Sequence, residues 1–414
     1  MRFAILIVLA VKMPVCGLAP AADPYFTLVG VRPGATHSYV TALSFNGDVA
    51  VGRMEGDFTQ YLSFRWSRAE GRTEDMIPAG FSEYEYRDVS DDGRSFVGGA
   101  RQRATDPQTM LLSRDGVESI ISSPLGLGLN TRVISGDGSA AGGSIVIAPG
   151  LAQGFVWTQH SGFRVLGRLF DTDRAGQVSG LSVDGGVAVG ISHRDGDPPA
   201  PVRWWPDGRV ESLGMLIDIT FPEGRAEGVS ADGNYVVGFT PGNRRGDSRA
   251  VRWDAMGVAQ DLGVLPGLVD SVGWAISADG RVIGGSCRSN FTGMHVASVW
   301  TEEDGMMPLD EYLLGHGVPI PAGVRLLDCY SVSGDGMSFG GIAVDRFNVR
   351  VGFVATVPAP GTMVAFAGGV LACFRSRRHG LPFRESDGKA CRLQRGPSCA
   401  APGSLAMPCG TGGE

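Results

Sequence analysis

Charged residues are scarce in this sequence. Asp, Glu, Lys and Arg make up 19% of its 414 residues, the formal net charge is −7, and the body of the chain holds no basic cluster. Nucleic-acid binding depends on Lys and Arg neutralising phosphates, so no nucleic-acid partner is expected. Cysteine is sparse too. Of Cys16, Cys287, Cys329, Cys373, Cys391, Cys399 and Cys409, only Cys287 and Cys329 lie in the body, which leaves no Cys-x-x-Cys zinc spacing and no disulfide framework. A Cys287–Cys329 bridge and two separate buried thiols both fit an exported chain. The histidines His37, His160, His193, His295, His316 and His379 form no H-x-x-x-H or H-x-H pair, which argues against zinc and triad chemistry. The apolar run Phe3–Val11 falls well short of the roughly 20 residues that a membrane-spanning helix needs.

Glycine is in excess, at 63 residues, while hydrophobic residues remain at 43%. That balance describes a turn-rich globular chain rather than a disordered one. Much of the glycine sits in one recurring stretch. Arg225–Phe239, RAEGVSADGNYVVGF, reads as a β-hairpin whose turn is Asp232-Gly233, a two-residue loop suited to the type I′ turn. Variants of the same hairpin start at Ser44, Ser90, Ser135, Ser182, Ser277 and Ser333. Successive serines, Ser230 included, are 46, 45, 47, 48, 47 and 56 residues apart. A period of about 45 residues with several short strands per unit is the mark of a propeller blade.

Each hairpin is followed by an apolar segment around Trp66, Trp157, Trp204, Trp253 or Trp300, with Leu112 and Ala355 in the corresponding places of units two and seven. A turn and one more strand follow, as in DGRVESLGML from Asp207, which makes four strands per unit. Unit seven stops after Val351–Thr356 without its final strand, while Tyr25–Val31 is a strand of the missing kind ahead of the first hairpin. Residues 23–356 are therefore expected to form an all-β fold, a seven-bladed β-propeller of about 45-residue repeats closed by the N-terminal strand, which leaves no blade edge unpaired.

The repeated residues have structural explanations. One Asp per unit at a turn lacks the ligand spacing of a calcium loop, and Asn46 replaces it in unit one. Seven serines without an adjacent base make no set of nucleophiles, whereas a side-chain hydrogen bond to the turn accounts for them. The in-register tryptophans fit core packing between blades better than a carbohydrate-stacking ring. Trp205 and Trp274 fall outside that register and are better placed to meet a ligand. The longer spacing before unit seven predicts a short helix over 308–314 and a Gly/Pro loop, the first place to look for a partner site. No catalytic, cofactor-binding or metal-binding residue is assigned, and no cofactor is expected.

By their G-x-S-x-D-G-x-x-V-V-G hairpins, A-F-x-W-T-like segments and closing L-G strands, the units resemble HAF repeats, a bacterial extracellular repeat type. The resemblance covers roughly residues 25–356 and implies an exported, propeller-like protein of unknown biochemical role, with no catalytic residues to carry over. Residues 1–22 read as a signal peptide, with Arg2 before the apolar run and Ala19-Pro20-Ala21 as a cleavage site. Val357–Arg378 is similar to a PEP-CTERM sorting signal: a Pro-x-Pro motif, the apolar segment Met363–Phe374, then Arg375, Arg377 and Arg378. Such a segment engages a bilayer transiently, and the resemblance implies an exosortase-type processing enzyme as partner. Residues 379–414 lack hydrophobic periodicity and read as a disordered tail.

The expected function is that of an exported, non-catalytic repeat protein, secreted or held at the cell surface. It would act as a cell-surface or extracellular-matrix interaction module toward an extracellular protein or polysaccharide. The alternative is a secreted polysaccharide-acting hydrolase or lyase on a propeller scaffold. Mass spectrometry of the protein from native cells should show loss of residues near 1–22 and of everything beyond about Pro360. An intact tail on the mature protein would remove the sorting signal.

Overall fold

The repeated turn is the smallest unit from which the fold is built. In the computed structural model, Ser230 Oγ–H donates to Asp232 Oδ1 at 2.6 Å and accepts the Tyr235 N–H at 2.9 Å, while Asp232 Oδ1 also accepts the Asn234 N–H at 3.0 Å. The same Ser-to-Asp and backbone-to-Ser bonds occur at Ser90, Ser135, Ser182, Ser277 and Ser333, and at Ser44 with Asn46 in place of Asp. All seven serines are buried, so each hydroxyl needs these partners. The turn type differs from the expected one. Gly233 N–H donates to Ser230 O at 3.0 Å, and within the turn only the glycine has positive φ, at 78°. Asp232 is thus not in the left-handed conformation that a type I′ turn demands of both central residues. Its role is to accept hydrogen bonds.

The structure describes residues 24–31, 34–56, 62–74, 78–194, 196–217, 223–242, 247–289 and 293–359. The expected signal peptide, nearly all of the expected sorting segment and the expected C-terminal tail lie outside the described residues. Among the described residues, antiparallel four-stranded sheets run over 83–121, 129–165, 173–212, 225–261 and 270–308. The chain ends share a mixed sheet. Three strands from 325–356 are joined to the four from 35–74 by a single parallel bridge, His37 to Arg350. The N-terminal strand Tyr25–Leu28 pairs antiparallel with Arg350–Thr356, matching Tyr25 to Thr356 and Leu28 to Phe353. This is an all-β, propeller-like fold with a sheet that brings the two ends together.

Adjacent units are tied at their turns. Phe45 N–H donates to Asp91 O, Asp91 to Gly136, Asp137 to Val183, Val183 to Ala231, Ala231 to Ala278, Ala278 to Gly334, and Asp335 back to Phe45, all at 2.8–3.0 Å. The seven turns form a closed circuit of backbone bonds. Between the sheets lies the apolar core. Trp66, Trp157, Trp204, Trp253 and Trp300 are all buried, with the Trp204 and Trp253 indole N–H groups on Gly167 O and Gly214 O, as core residues rather than a stacking ring. Cys287 and Cys329 are separate buried thiols, which removes the bridged alternative. The predicted helix forms over Leu309–Gly315, but it buries Leu309, Tyr312 and Leu313 in one core cluster with Val299 and Phe339. The helix is therefore part of the core, while Gly317, Pro319 and Pro321–Gly323 of the loop that follows are exposed.

Glycine is required where the second strand of each hairpin passes the first. A Cβ at Gly238 would lie 1.9 Å from Arg225 O, and equivalent additions at Gly98, Gly190 and Gly341 would meet the carbonyls of Glu85, Gln177 and Asp328 at 1.9–2.0 Å. No side chain fits such a gap without moving backbone. Gly238→Ala should therefore cost about 3 kcal/mol in urea denaturation, at the upper end of overpacking effects; a loss under about 1 kcal/mol would show that the close approach relaxes freely.

Candidate functional site

The close strand approach disturbs the ladder beside it. In the first strand of every unit the register slips by one residue, opposite or next to the crowded glycine. The skipped residues in units one to four are Thr41, Arg87, Arg132 and Ser179. In units five to seven they are Glu227, Trp274 and Tyr330. A bulged residue is released from the ladder and its side chain is re-aimed. All seven line one central pocket of 650 Å³, within the usual range for small-ligand sites of about 300–1,000 Å³. Each stands three residues before the repeated serine, where the units differ in chemistry.

The lining is divided by type. Arg53 and Arg87 hold the buried Glu85 carboxylate, at 3.1 Å from Arg53 Nε and 2.5 Å from Arg87 Nη2. Arg87 also donates to Asn130 Oδ1 and to Thr131 O, so its guanidinium is fully committed. On the aromatic side, Trp274 meets Tyr330 edge-on at 5.8 Å between ring centres, and Tyr330 meets Tyr39 at 6.2 Å. The Trp274 indole N–H donates to Ser286 Oγ at 3.1 Å, which fixes the ring. Tyr39 is anchored by its hydroxyl on Glu55 at 2.8 Å. Burial pushes the Tyr39 and Tyr330 hydroxyls up, so both stay protonated donors.

Three ionisable side chains of the lining have no hydrogen-bond or ion-pair partner among the described residues, and one of them is Asp91, at the turn circuit near the like charges of Asp92 and Asp137. Neither Arg132 nor Glu227 makes a hydrogen bond or ion pair with any described residue, although both line the pocket. Desolvation lowers the Arg132 guanidinium, against the attraction of Glu227. Desolvation also raises the Glu227 carboxyl, against the attraction of Arg132 and Arg225. The two charges attract each other but form no ion pair.

The structure places the sequence candidates unevenly. Trp274 is in the pocket, as its departure from the register suggested, whereas Trp205 lies elsewhere, with its indole N–H on Glu211 and its ring between Arg203 and Arg209. The turn aspartates and serines are occupied with one another. Arg132, Glu227 and Tyr330 were not singled out from the sequence; the signal was a charged or aromatic residue three places before the repeated serine, a position at which the units differ.

Asp88 is one of three lining carboxyls, with Asp91 and Glu227, whose titration burial shifts upward. Its oxygens accept the Val89 N–H at 2.9 Å and the Ile134 N–H at 2.8 Å, the latter from the neighbouring unit. Burial nevertheless pushes its carboxyl up to about 7, with Asp91 adding repulsion. The folded chain then holds this proton more tightly than the unfolded chain does. The contribution is full below the ordinary carboxylate range, near 4, and is lost as pH rises through about 7. Urea midpoints should fall between pH 4 and pH 7.5 more steeply in the wild type than in Asp88→Asn; equal slopes would place the titration elsewhere.

No protein-family model and no curated protein matches the chain. Among solved structures, the chain is similar to an oligogalacturonate lyase in complex with manganese, with TM-score 0.51 and 11% identity over 82% of this chain and 97% of that one. It is also similar to the β-propeller domain of the Trilobed protease from Pyrococcus furiosus, with TM-score 0.49 and 12% identity over 78% and 94% of the two chains. A third likeness is to TolB from Acinetobacter baumannii, with TM-score 0.42 and 13% identity over 72% and 76%. At such identities the likeness concerns the fold alone. The chain is an all-β propeller-like protein.

Proposed function

We propose that this protein is an exported binding module of the cell surface or extracellular matrix, a seven-bladed propeller that holds its ligand in the central pocket. The observation that carries this reading is the pocket lining. Seven nearly identical hairpins release one residue each at the same bulge, and that residue is the place where the hairpins differ. Scaffold positions are constant and pocket positions are diverse, as expected when a repeated frame serves one specific site. The circuit of seven turns and the pairing of Tyr25–Leu28 with the last sheet support the blade count and the closure.

The alternative, a hydrolase or lyase acting on polysaccharide, needs a carboxyl free to move a proton at the substrate. Asp88 has both oxygens on backbone amides, whereas the Glu227 carboxyl has no hydrogen-bond partner among the described residues. The test is co-sedimentation with the surface polysaccharide and matrix fraction of the producing cells. Ser179→Trp, which fills the pocket from a position that makes no described hydrogen bond, should abolish binding while leaving the melting temperature near that of the wild type. Binding by Ser179→Trp equal to the wild type would move the site out of the pocket. Release of shortened saccharides by the wild type, lost in Glu227→Gln, would establish the enzymatic alternative.

A further inference from the structure

On the reading that the central pocket is the binding site, its charges define the chemistry of the occupant. A charged side chain in a pocket that has no hydrogen-bonded partner is available to a ligand group of opposite sign. At its bulge positions this pocket holds two such charges, the exposed Arg132 and the half-buried Glu227, while the third unpaired charge, Asp91, stands at the turn circuit. Arg132 comes from unit three and Glu227 from unit five, and Ser179 of unit four lies between them with its hydroxyl also unbonded among the described residues. Neighbouring groups do not resolve the mismatch. Arg87 is committed to Glu85, Asn130 and Thr131, and it adds to the repulsion on Arg132.

The surroundings of the two charges differ. Beside Glu227 in unit order comes Trp274, in edge contact with Tyr330, and aromatic faces attract a cation and pack against apolar groups. Beside Arg132 lie the polar Asn130 and the cationic Arg87. A simple anion would satisfy Arg132 but set a second negative charge facing Glu227. A neutral sugar would leave Arg132 and Glu227 with longer-range attraction only and no hydrogen-bonded counter-ion for either. A molecule with an anion at one end and a cation at the other compensates both.

We propose that the central pocket binds a zwitterion of the amino-acid class, a free amino acid or a short peptide with both termini free. Its carboxylate sits on Arg132 and its ammonium on Glu227, beside Trp274. Arg offers a planar fork that matches a carboxylate in two parallel bonds, which suits it to the anionic end. A cavity of 650 Å³ has room for more than one residue, so peptide length is set by the gap between the two charges.

The test is calorimetric titration of the full chain with L-phenylalanine, glycyl-L-phenylalanine and a tripeptide extended by one more glycine. Each is compared with its N-acetylated and its C-amidated form, and glucuronate serves as a monoanion. One free form should bind saturably, and blocking either terminus should weaken it about ten-fold or more. In Glu227→Gln the penalty for acetylation should vanish, and in Arg132→Gln the penalty for amidation should vanish, a coupling that a merely structural role would not produce. Should Arg132→Gln fail to fold, Arg132→Lys keeps the charge, and the blocked series on the wild type and Glu227→Gln carries the result. Absence of binding by every free form, or penalties unchanged in both variants, overturns the proposal. Glucuronate binding that depends on Arg132, without any zwitterion binding, overturns the zwitterion and retains the pocket as the site. Zwitterion binding that survives Ser179→Trp overturns the pocket itself.

Discussion

A carbonyl oxygen facing an α-carbon with no side chain sets the geometry of this protein. Where the two strands of each hairpin cross, the gap between the repeated glycine and the opposing carbonyl is too small for a methyl group, as at Gly238 and Arg225. The first strand can run that close only by shedding one residue from the ladder. Bulge and glycine are therefore two sides of one constraint, and the bulge residue is delivered to the centre of the molecule. Pocket composition follows from it.

The turns convert this local geometry into a circular one. Each buried serine uses both hydrogen-bonding capacities of its hydroxyl inside its own turn, which leaves the backbone just after it free to bond to the next turn. Repetition of that link returns to its starting point at Phe45, where Asp335 completes the circuit. The pairing of Tyr25–Leu28 with Arg350–Thr356 brings the chain ends together in the sheet layer as the circuit does at the turns. Elements separated by more than three hundred residues thus depend on each other, and the insertion before the last unit is drawn into the same core through Leu309, Tyr312 and Leu313.

Within this frame the chemistry is asymmetric although the backbone is repetitive. The committed guanidinium of Arg87, the unpartnered Arg132 and Glu227, and the aromatic group of Tyr39, Trp274 and Tyr330 line the same pocket from different units. A constant frame fixes their backbones, because each is bracketed by paired strand on both sides, and further contacts fix the side chains of Arg87, Tyr39, Trp274 and Tyr330. Rigid placement of unlike groups favours selective recognition, since little conformational freedom is lost when a ligand enters.

Apolar alternation and turn glycines are local signals, and they were enough to read the strands, their number per unit and their period from the chain. A strand missing at one end and surplus at the other also placed Tyr25–Leu28 with the last sheet. The turn was misread, since Asp-Gly looks like type I′ until the buried serine is known to bond across the loop. Cys287 and Cys329 stayed open, because the distance between two thiols is not a local property. Which residues meet in the pocket was settled by tertiary pairing alone. Thr41 and Tyr330 are 289 positions apart in the chain yet line one cavity, and the side of the strand each faces depends on a bulge caused by a glycine in the neighbouring strand. A one-residue slip reverses the face that a side chain presents, so a pattern read along a single strand cannot locate the site, whereas the pairing of strands does.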